Sequence, residues 1–140
     1  MYLLDTSVVS NFLDERRYYP QLTTKILSQP PEQIFISIIT VEEILQGALA
    51  SVQKAKRKPF VTKAYQYFDD LFSALHRFQI LSYTPEAEDI YQSLPAKIKR
   101  IGTQDCRIAA IASVNDFRVI TVNANDFVNI GLTKVEDWTR

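Results

Sequence analysis

The stretch YLLDTS, residues 2–7, begins with three apolar residues and then places a carboxylate at Asp5. A short apolar run of this kind is typical of a strand in the interior of a sheet. In an open parallel sheet, ligands bind beyond the carboxyl ends of the strands. The stretch therefore predicts an interior strand over residues 2–4 whose end opens into a crevice, with Asp5 at that end.

Three further apolar runs are similar to the first and are also expected to form strands. They are IFISII (34–39), FQIL (78–81) and FRVITV (117–122). Apolar residues with helical spacing, or patterns with a proline near their start, occupy the ranges 41–52, 59–77, 85–95 and 108–112. Strands that alternate with helices indicate right-handed crossovers and a parallel sheet. We therefore predict an α/β fold in three layers, Rossmann-like, with a central parallel sheet between two layers of helices.

The composition fits a folded domain that contains little cysteine or histidine. The 140 residues suffice for one domain, which we place over residues 1–140. With one cysteine, Cys106, and one histidine, His76, the chain has neither an internal disulfide nor a zinc site built from these residue types. Any metal must therefore be held by oxygen ligands.

Apolar runs and net charge indicate where the protein acts and what it binds. No run approaches the roughly 18 to 20 apolar residues of a membrane-spanning helix, and the N-terminus lacks the basic region and apolar core of a signal peptide. We therefore expect a cytoplasmic protein without a membrane segment. The formal net charge of zero disfavours a nonspecific nucleic-acid-binding protein with a basic surface, so a polyanion would need a local basic patch or bound cations.

Acidic residues recur at positions that meet at one edge of a parallel sheet. Asp5 follows the first run, and Glu42 and Glu43 follow the second. Asp126 follows the last run, and Asp105 lies at the start of the helix before it. A capping or helix-dipole role is the alternative for each acid taken alone. Periodicity does not select Glu43 over Glu42, because Glu42 borders the apolar stripe of its helix while Glu43 points further away.

Several ionised carboxylates in one crevice repel each other and require a cation to hold them together. Mg²⁺ or Mn²⁺ suits a site that offers only oxygen ligands. Such ions lower the pKa of a water molecule and stabilise the attacking and leaving oxygens of a phosphodiester. The acids therefore predict metal-assisted hydrolysis of a phosphodiester.

Five motifs together resemble the PIN-domain ribonucleases, and in particular the VapC-type toxins of type II toxin-antitoxin systems. They are LLDTSVVSNFL (3–13), ISIITVEEILQGA (36–48), IGTQDCRIAAIA (101–112), VITVNANDF (119–127) and GLTKVEDW (131–138), and they occur in the family's order across nearly the whole chain. The resemblance implies that Asp5, Glu43, Asp105 and Asp126 are catalytic and bind Mg²⁺ or Mn²⁺. It favours Glu43 because the family's glutamate precedes an aliphatic residue and stands four positions before a glycine, here Gly47.

The resemblance also implies supporting residues around the acids. Hydroxyls and an amide at Thr6, Ser7, Thr121 and Asn123 are expected to orient the carboxylates and bind water molecules of the metal. Helix capping by Thr6 or Asn123 is the alternative. Basic residues just before the Asp105 motif, namely Lys97, Lys99 and Arg100, are candidates for binding the RNA backbone, with a solvated surface as the alternative.

The resemblance implies a metal-dependent endoribonuclease that leaves 5′-phosphate and 3′-hydroxyl ends. It further implies a homodimer and a small VapB-like antitoxin whose tail enters the active-site groove. One alternative is a PIN fold that lacks catalysis and acts as a partner-binding module. A receiver-like signalling domain would require an aspartate at the end of the third strand, which FQILSYTP (78–85) lacks, and a haloacid dehalogenase phosphatase would require an acid where Ser7 stands.

Overall fold

The computed structural model describes residues 1–14, 16 and 19–140. Within these ranges the chain forms five strands and eight helices. The strands are β1 (Tyr2–Leu4), β2 (Ile34–Ser37), β3 (Gln79–Leu81), β4 (Arg118–Ile120) and β5 (Val135–Glu136). The helices are α1 (Thr6–Leu13), α2 (Pro20–Ser28), α3 (Ile38–Lys54), α4 (Lys58–Leu75), α5 (Pro85–Ser93), α6 (Ala96–Lys99), α7 (Thr103–Asn115) and α8 (Ala124–Ile130). A short 3₁₀ helix over Pro31–Gln33 precedes β2.

The strands form one parallel sheet in the order β3-β2-β1-β4-β5. β1 lies in its centre, where Leu4 stands opposite Ile36 of β2 and Ile120 of β4. From β1 the chain moves outward to β2 and β3, and it then returns to the other side of β1 to form β4. The sheet therefore has its switch point between β1 and β4, where a crevice forms beyond the carboxyl ends of parallel strands.

Two apolar clusters cover the two faces of the sheet, as the alternation of side chains along a strand requires. Leu3 and Val119 face a cluster that contains Ala87 of α5, Ile108 of α7 and Phe127 of α8. The next residues on the same strands, Leu4 and Ile120, face α1, α2 and the end of α4 through Val8, Leu22 and Leu75. The predicted three-layer α/β fold is confirmed. Of the helices in the described ranges, none combines the length and the apolarity needed to cross a bilayer.

The predicted strand over 34–39 is too long. β2 ends at Ser37 because the Ser37 side chain accepts a hydrogen bond from the Thr40 backbone N–H and begins α3. The apolar pair Ile38 and Ile39 is therefore the first turn of a helix, which an apolar run alone does not distinguish from a strand. The strands predicted over 78–81 and 117–122 shorten to Gln79–Leu81 and Arg118–Ile120. β5 has two residues, too few to produce a recognisable pattern.

Candidate active site

Asp5 lies at the switch point, directly after the central strand. Its backbone N–H donates to the carbonyl of Ile120 at 3.0 Å, so the residue continues the pairing of β1 with β4. Its Oδ1 accepts from the Val8 backbone N–H at 2.9 Å and from Ser7 Oγ at 2.7 Å. Asp5 is thus the N-cap of α1. The same side chain caps the helix and lies in the crevice.

The second oxygen of Asp5 is held from across the switch point. Thr121, fully buried after β4, donates from Oγ1 to Asp5 Oδ2 at 2.6 Å, and the same hydroxyl accepts from the Asn123 backbone N–H at 2.8 Å. Asp5 is only 1% exposed. A carboxylate has about four lone-pair directions, so three hydrogen bonds fix its rotamer and leave about one direction for a ligand.

The structure separates the two glutamates that periodicity leaves undecided. Glu43 is half-buried on α3, where its Oε1 accepts from Thr6 Oγ1 at 2.7 Å. The Thr6 hydroxyl is also 2.9 Å from that of Thr40, a buried residue of the same helix as Glu43. Glu42 is exposed and accepts from Gln104 Nε2 at 2.8 Å. Glu43 therefore faces α1 and Asp5, whereas Glu42 reaches toward α7 at the rim.

Asp105 and Asp126 complete the set from the other side of β1. Asp105 lies half-buried in the first turn of α7, and Asp126 lies exposed in the first turn of α8. Burial of Asp105 and the charges of Asp5, Glu43 and Asp126 together raise its pKa to about 6. The other three acids therefore lie close enough to Asp105 for their charges to raise its pKa.

Among the described residues, no lysine or arginine neutralises the negative charge in this crevice. Burial raises the pKa of Asp5 and the charge of Glu43 raises it further, while the hydrogen bonds from Thr121, Ser7 and Val8 oppose the change. In the described part of the chain, none of the four acids forms a salt bridge with a lysine or arginine. The site therefore presents an excess of carboxylate charge, which a divalent cation would compensate.

The donor set fits Mg²⁺ or Mn²⁺ in chemistry, because every candidate ligand is a carboxylate oxygen. Across residues 1–14, 16 and 19–140, no three acidic, histidine or cysteine side chains stand close enough to enclose an ion. Mg²⁺ does not need such a cage, since it usually keeps several water molecules and binds through one or two carboxylates and substrate phosphates. The acids that the crevice brings together are Asp5, Glu43, Asp105 and Asp126.

A groove of about 1090 Å³ runs beside the crevice between α1, α3 and α4. Thr6 and Glu43 belong both to its lining and to the acidic site, and Tyr67 and Asp70 line it from α4. Its volume is slightly larger than the roughly 300 to 1,000 Å³ of small-molecule pockets. The groove is therefore large enough to take a segment of a polymer.

The supporting residues predicted from the sequence differ in what they contact. Thr6, Ser7 and Thr121 each donate a hydrogen bond to one of the acids. Asn123 stands at the N-cap of α8 without a side-chain cap, and it reaches the site through its backbone N–H. Thr40 is a site residue that the sequence gives no reason to select, because a buried threonine in a helix has no distinctive pattern.

The three basic candidates are not equivalent in the structure. Lys97 on α6 and Arg100 after it are exposed. Lys99 is half-buried, with its Nζ 5.1 Å from the centroid of the Tyr91 ring. The ring of Tyr91 also lies 5.2 Å from the guanidinium carbon of Arg107, a residue that charge runs in the sequence do not mark.

Substitution of the two glutamates is expected to separate their roles. Glu43→Gln should weaken Mn²⁺ binding at least about tenfold, because it removes a charge from the crevice. Glu42→Gln makes the same chemical change at the exposed rim and should alter the affinity less than about threefold. Titration of Mn²⁺ followed by electron paramagnetic resonance measures both values. Equal effects of the two substitutions would contradict the assignment.

The raised pKa of Asp105 predicts a pH-dependent stability of the metal-free protein. Because folding raises this pKa from 3.8 to about 6, the stability that Asp105 contributes is present below pH 3.8 and is lost as the pH rises through 6. Asp105→Asn removes the free-energy cost of ionising this side chain in the folded protein. In EDTA at neutral pH the variant should melt roughly 3 to 6 °C above the wild type, a value reduced for solvent screening. The difference should disappear near pH 4, and a difference that is constant with pH would refute the interpretation.

Sequence and structure comparisons agree with each other. The family model described as PIN domain matches residues 2–131. The plasmid stability protein StbB of Pseudomonas syringae pv. tomato is 30% identical over 142 residues, which span 99% of this chain and 99% of that protein. Ribonuclease VapC2 of Haemophilus influenzae is 25% identical over 141 residues, which span 98% of this chain and 97% of that protein.

Among solved structures, a toxin-antitoxin complex from Klebsiella pneumoniae contains a chain with the same architecture. The TM-score is 0.68 at 24% identity, and the match covers 97% of this chain and 96% of that chain. At this level of identity the likeness shows the fold.

Proposed function

The chain belongs to the PIN domain family, and on this premise we propose that it is a metal-dependent endoribonuclease and the toxin of a VapBC-type toxin-antitoxin pair. One observation carries the proposal: acids from four separate segments, Asp5, Glu43, Asp105 and Asp126, surround one crevice at the switch point of the sheet. A structural role alone does not require them to converge, because mutual repulsion destabilises the fold.

Carboxylates of the four acids, together with water molecules, would hold the metal, and the hydroxyls around Asp5 and Glu43 would set the geometry of those two acids. Mg²⁺ or Mn²⁺ bound there would lower the pKa of a water molecule and stabilise the charge that develops on a phosphodiester. Thr121 and Ser7 hold the Asp5 carboxylate in one rotamer, and Thr6 holds Glu43. These contacts fix the acids before the substrate binds, which lowers the reorganisation that catalysis requires.

Related proteins support the substrate and the partner that we propose. VapC2 of H. influenzae is named a ribonuclease, and the K. pneumoniae structure is of a toxin-antitoxin complex. For this chain we infer an RNA substrate in the cytoplasm, a VapB-like antitoxin and a homodimeric toxin. The groove between α1, α3 and α4 shares Thr6 and Glu43 with the acidic site, so a peptide in it would block access to the acids.

Asp5 is poorly placed for the phosphoryl-transfer alternatives. A receiver domain or a haloacid dehalogenase phosphatase uses an aspartate oxygen as the nucleophile, and that oxygen must reach a phosphorus atom. Asp5 is 1% exposed and both of its oxygens accept hydrogen bonds. Treatment with a small phosphodonor should therefore leave the protein unphosphorylated. The remaining alternative, a partner-binding module without catalysis, is distinguished by a cleavage assay.

The test is incubation of the purified protein with total RNA in Mg²⁺, in Mn²⁺ and in EDTA. We expect fragments with 5′-phosphate and 3′-hydroxyl ends in the two metals and intact RNA in EDTA. The product of a gene adjacent to that for this chain, added at equimolar amount, should suppress cleavage if it is the antitoxin. Absence of cleavage in every metal, with antitoxin binding retained, would instead support the partner-binding module.

A further inference from the structure

A second group of polar and aromatic side chains lies beside the acidic crevice, around Arg107 on α7. It consists of Tyr83, Glu88, Tyr91, Lys99, Gln104 and Arg107, and we refer to it as the Arg107 cluster. Arg107 follows Asp105 by two residues on the same helix, so its backbone lies within one helical turn of the crevice. None of these six residues has a role in holding the four acids.

Arg107 is a half-buried cation, and no carboxylate of the described residues forms a salt bridge with its guanidinium. Its Nη1 donates to Gln104 Oε1 at 3.1 Å, and its guanidinium carbon lies 5.2 Å from the Tyr91 ring centroid. Its Nε is buried and has no hydrogen-bond partner among the residues that the structure describes, nor does the side chain form a salt bridge with any of them. A partly desolvated guanidinium normally pairs with a carboxylate or a phosphate.

A second cation shares the same aromatic ring. Lys99 places its Nζ 5.1 Å from the Tyr91 centroid and donates to the carbonyl of Gln92 at 3.3 Å. Two positive charges near one ring repel each other, and a bound anion would reduce that repulsion. The hydroxyl of Tyr83 donates to Glu88 Oε1 at 2.8 Å. Burial and Glu88 raise the pKa of Tyr83 to about 12, and the Arg107 guanidinium opposes that change.

Gln104 connects the Arg107 cluster to the crevice. Its amide oxygen accepts from Arg107 and its amide nitrogen donates to Glu42 at 2.8 Å, so the amide is oriented by a cation on one side and an acid on the other. Glu42 is adjacent in sequence to Glu43, and Gln104 is adjacent to Asp105. The cluster is therefore at the border of the acidic site, between α3, α5 and α7.

We propose that Arg107 and Lys99 form a subsite for a backbone phosphate of the RNA, next to the phosphodiester that is cleaved. This inference rests on the proposed function. The acidic crevice repels RNA and the chain has a formal net charge of zero, so binding needs local cations close to the acids. The guanidinium fork of arginine matches two phosphate oxygens, and the Tyr91 ring holds it in place. Arg107 and Lys99 both lie against the Tyr91 ring, whereas Lys97 and Arg100 are exposed.

The test measures binding of a fluorescein-labelled single-stranded RNA oligonucleotide by fluorescence polarisation in Ca²⁺, over a series of salt concentrations. Arg107→Met should weaken binding about tenfold and reduce the slope of log affinity against log salt by about 0.7. Lys99→Met should weaken binding about threefold, and Arg107→Lys should fall between wild type and Arg107→Met. In steady-state cleavage, KM should rise while kcat stays within about twofold, because a bound phosphate contributes equally to ground state and transition state.

Arg118→Met is the matched control. Arg118 lies at the amino end of β4, at the opposite edge of the sheet, and its substitution removes the same charge. The RNA affinity of Arg118→Met should stay within about twofold of the wild-type value, because salt screens the effect of one distant charge. The melting temperature of each variant shows whether it is folded. If Arg107→Met does not fold, Lys99→Met, on a short surface helix, tests the subsite in its place.

The results of these experiments test the phosphate subsite separately from the proposed ribonuclease function. Wild-type affinity and salt slope in both Arg107→Met and Lys99→Met would overturn the subsite and leave the proposed function intact. Arg107-dependent RNA binding without cleavage in Mg²⁺ or Mn²⁺ would support the subsite and overturn the proposed function. If the wild type does not bind RNA at all, both proposals are wrong.

Discussion

Asp105→Asn is expected to lower metal-dependent RNA cleavage at least about a thousandfold, equivalent to roughly 4 kcal/mol of transition-state stabilisation. The substitution keeps the size of the side chain but removes one charge from the crevice. No cap or buried hydrogen bond of the fold depends on the Asp105 carboxylate in the described contacts, so the substitution should leave the fold intact. Cleavage of a fluorogenic RNA in saturating Mn²⁺ measures the loss.

Asp116→Asn is the control for this experiment. Asp116 is an exposed residue at the opposite end of the same helix, where it adopts the left-handed conformation with φ of 55°. Asparagine accepts that conformation as readily as aspartate, so stability and cleavage should stay within about twofold of wild type. Wild-type cleavage by Asp105→Asn in a folded protein would count against the four-acid site as a whole.

Thr121→Val is expected to lower both the stability and the metal affinity of the protein. Valine has nearly the same shape, but it leaves the buried Asp5 Oδ2 and the Asn123 N–H without the partner that the Thr121 hydroxyl provides. Leaving such groups unpaired costs about 3 kcal/mol in the free energy of unfolding at neutral pH, or roughly 10 °C in melting temperature. Mn²⁺ affinity should fall at least about tenfold, because the Asp5 carboxylate is no longer held in its rotamer.

Thr121→Ser keeps the hydroxyl and serves as the matched variant. It should retain most of the metal affinity and lose only the contribution of one buried methyl group, about 1 kcal/mol. Unfolding in urea can be followed by the fluorescence of Trp138, the single tryptophan. Trp138 is a suitable reporter because it is 5% exposed and packs against Tyr2 of the central strand. Equal stability of the valine and serine variants would show that the hydrogen bond across the switch point contributes nothing.

The fold could be predicted from the sequence because its signals are local. Apolar runs such as YLL, separated by helical patterns, are enough to identify parallel strands and crossovers, and β1 lies where predicted. The position of Asp5, Asp105 and Asp126 at one edge follows from the same rule, since parallel strands direct their carboxyl ends to one side. Strand ends were less predictable. A serine cap at Ser37 converted the end of one apolar run into a helix.

The choice of Glu43 over Glu42 could not be made from periodicity, because Glu42 borders the apolar stripe of the helix while Glu43 points further away. It depends on helices that are far away in the sequence. Thr6 of α1 binds Glu43, and Gln104 of α7 binds Glu42. The family resemblance favoured Glu43 by motif, and the contacts of the structure supply a physical reason for that preference.

The sequence by itself determined an α/β domain with acids at one edge of a parallel sheet, because those features depend on the spacing of neighbouring residues. The tertiary structure alone decided which side chains meet. Thr121 and Asp5 are 116 residues apart in the chain and 2.6 Å apart in the fold. Arg107 and Lys99 both contact the Tyr91 ring, although no run of charged residues in the sequence includes both. Such contacts depend on how helices pack across the sheet, which no periodic pattern along the chain records.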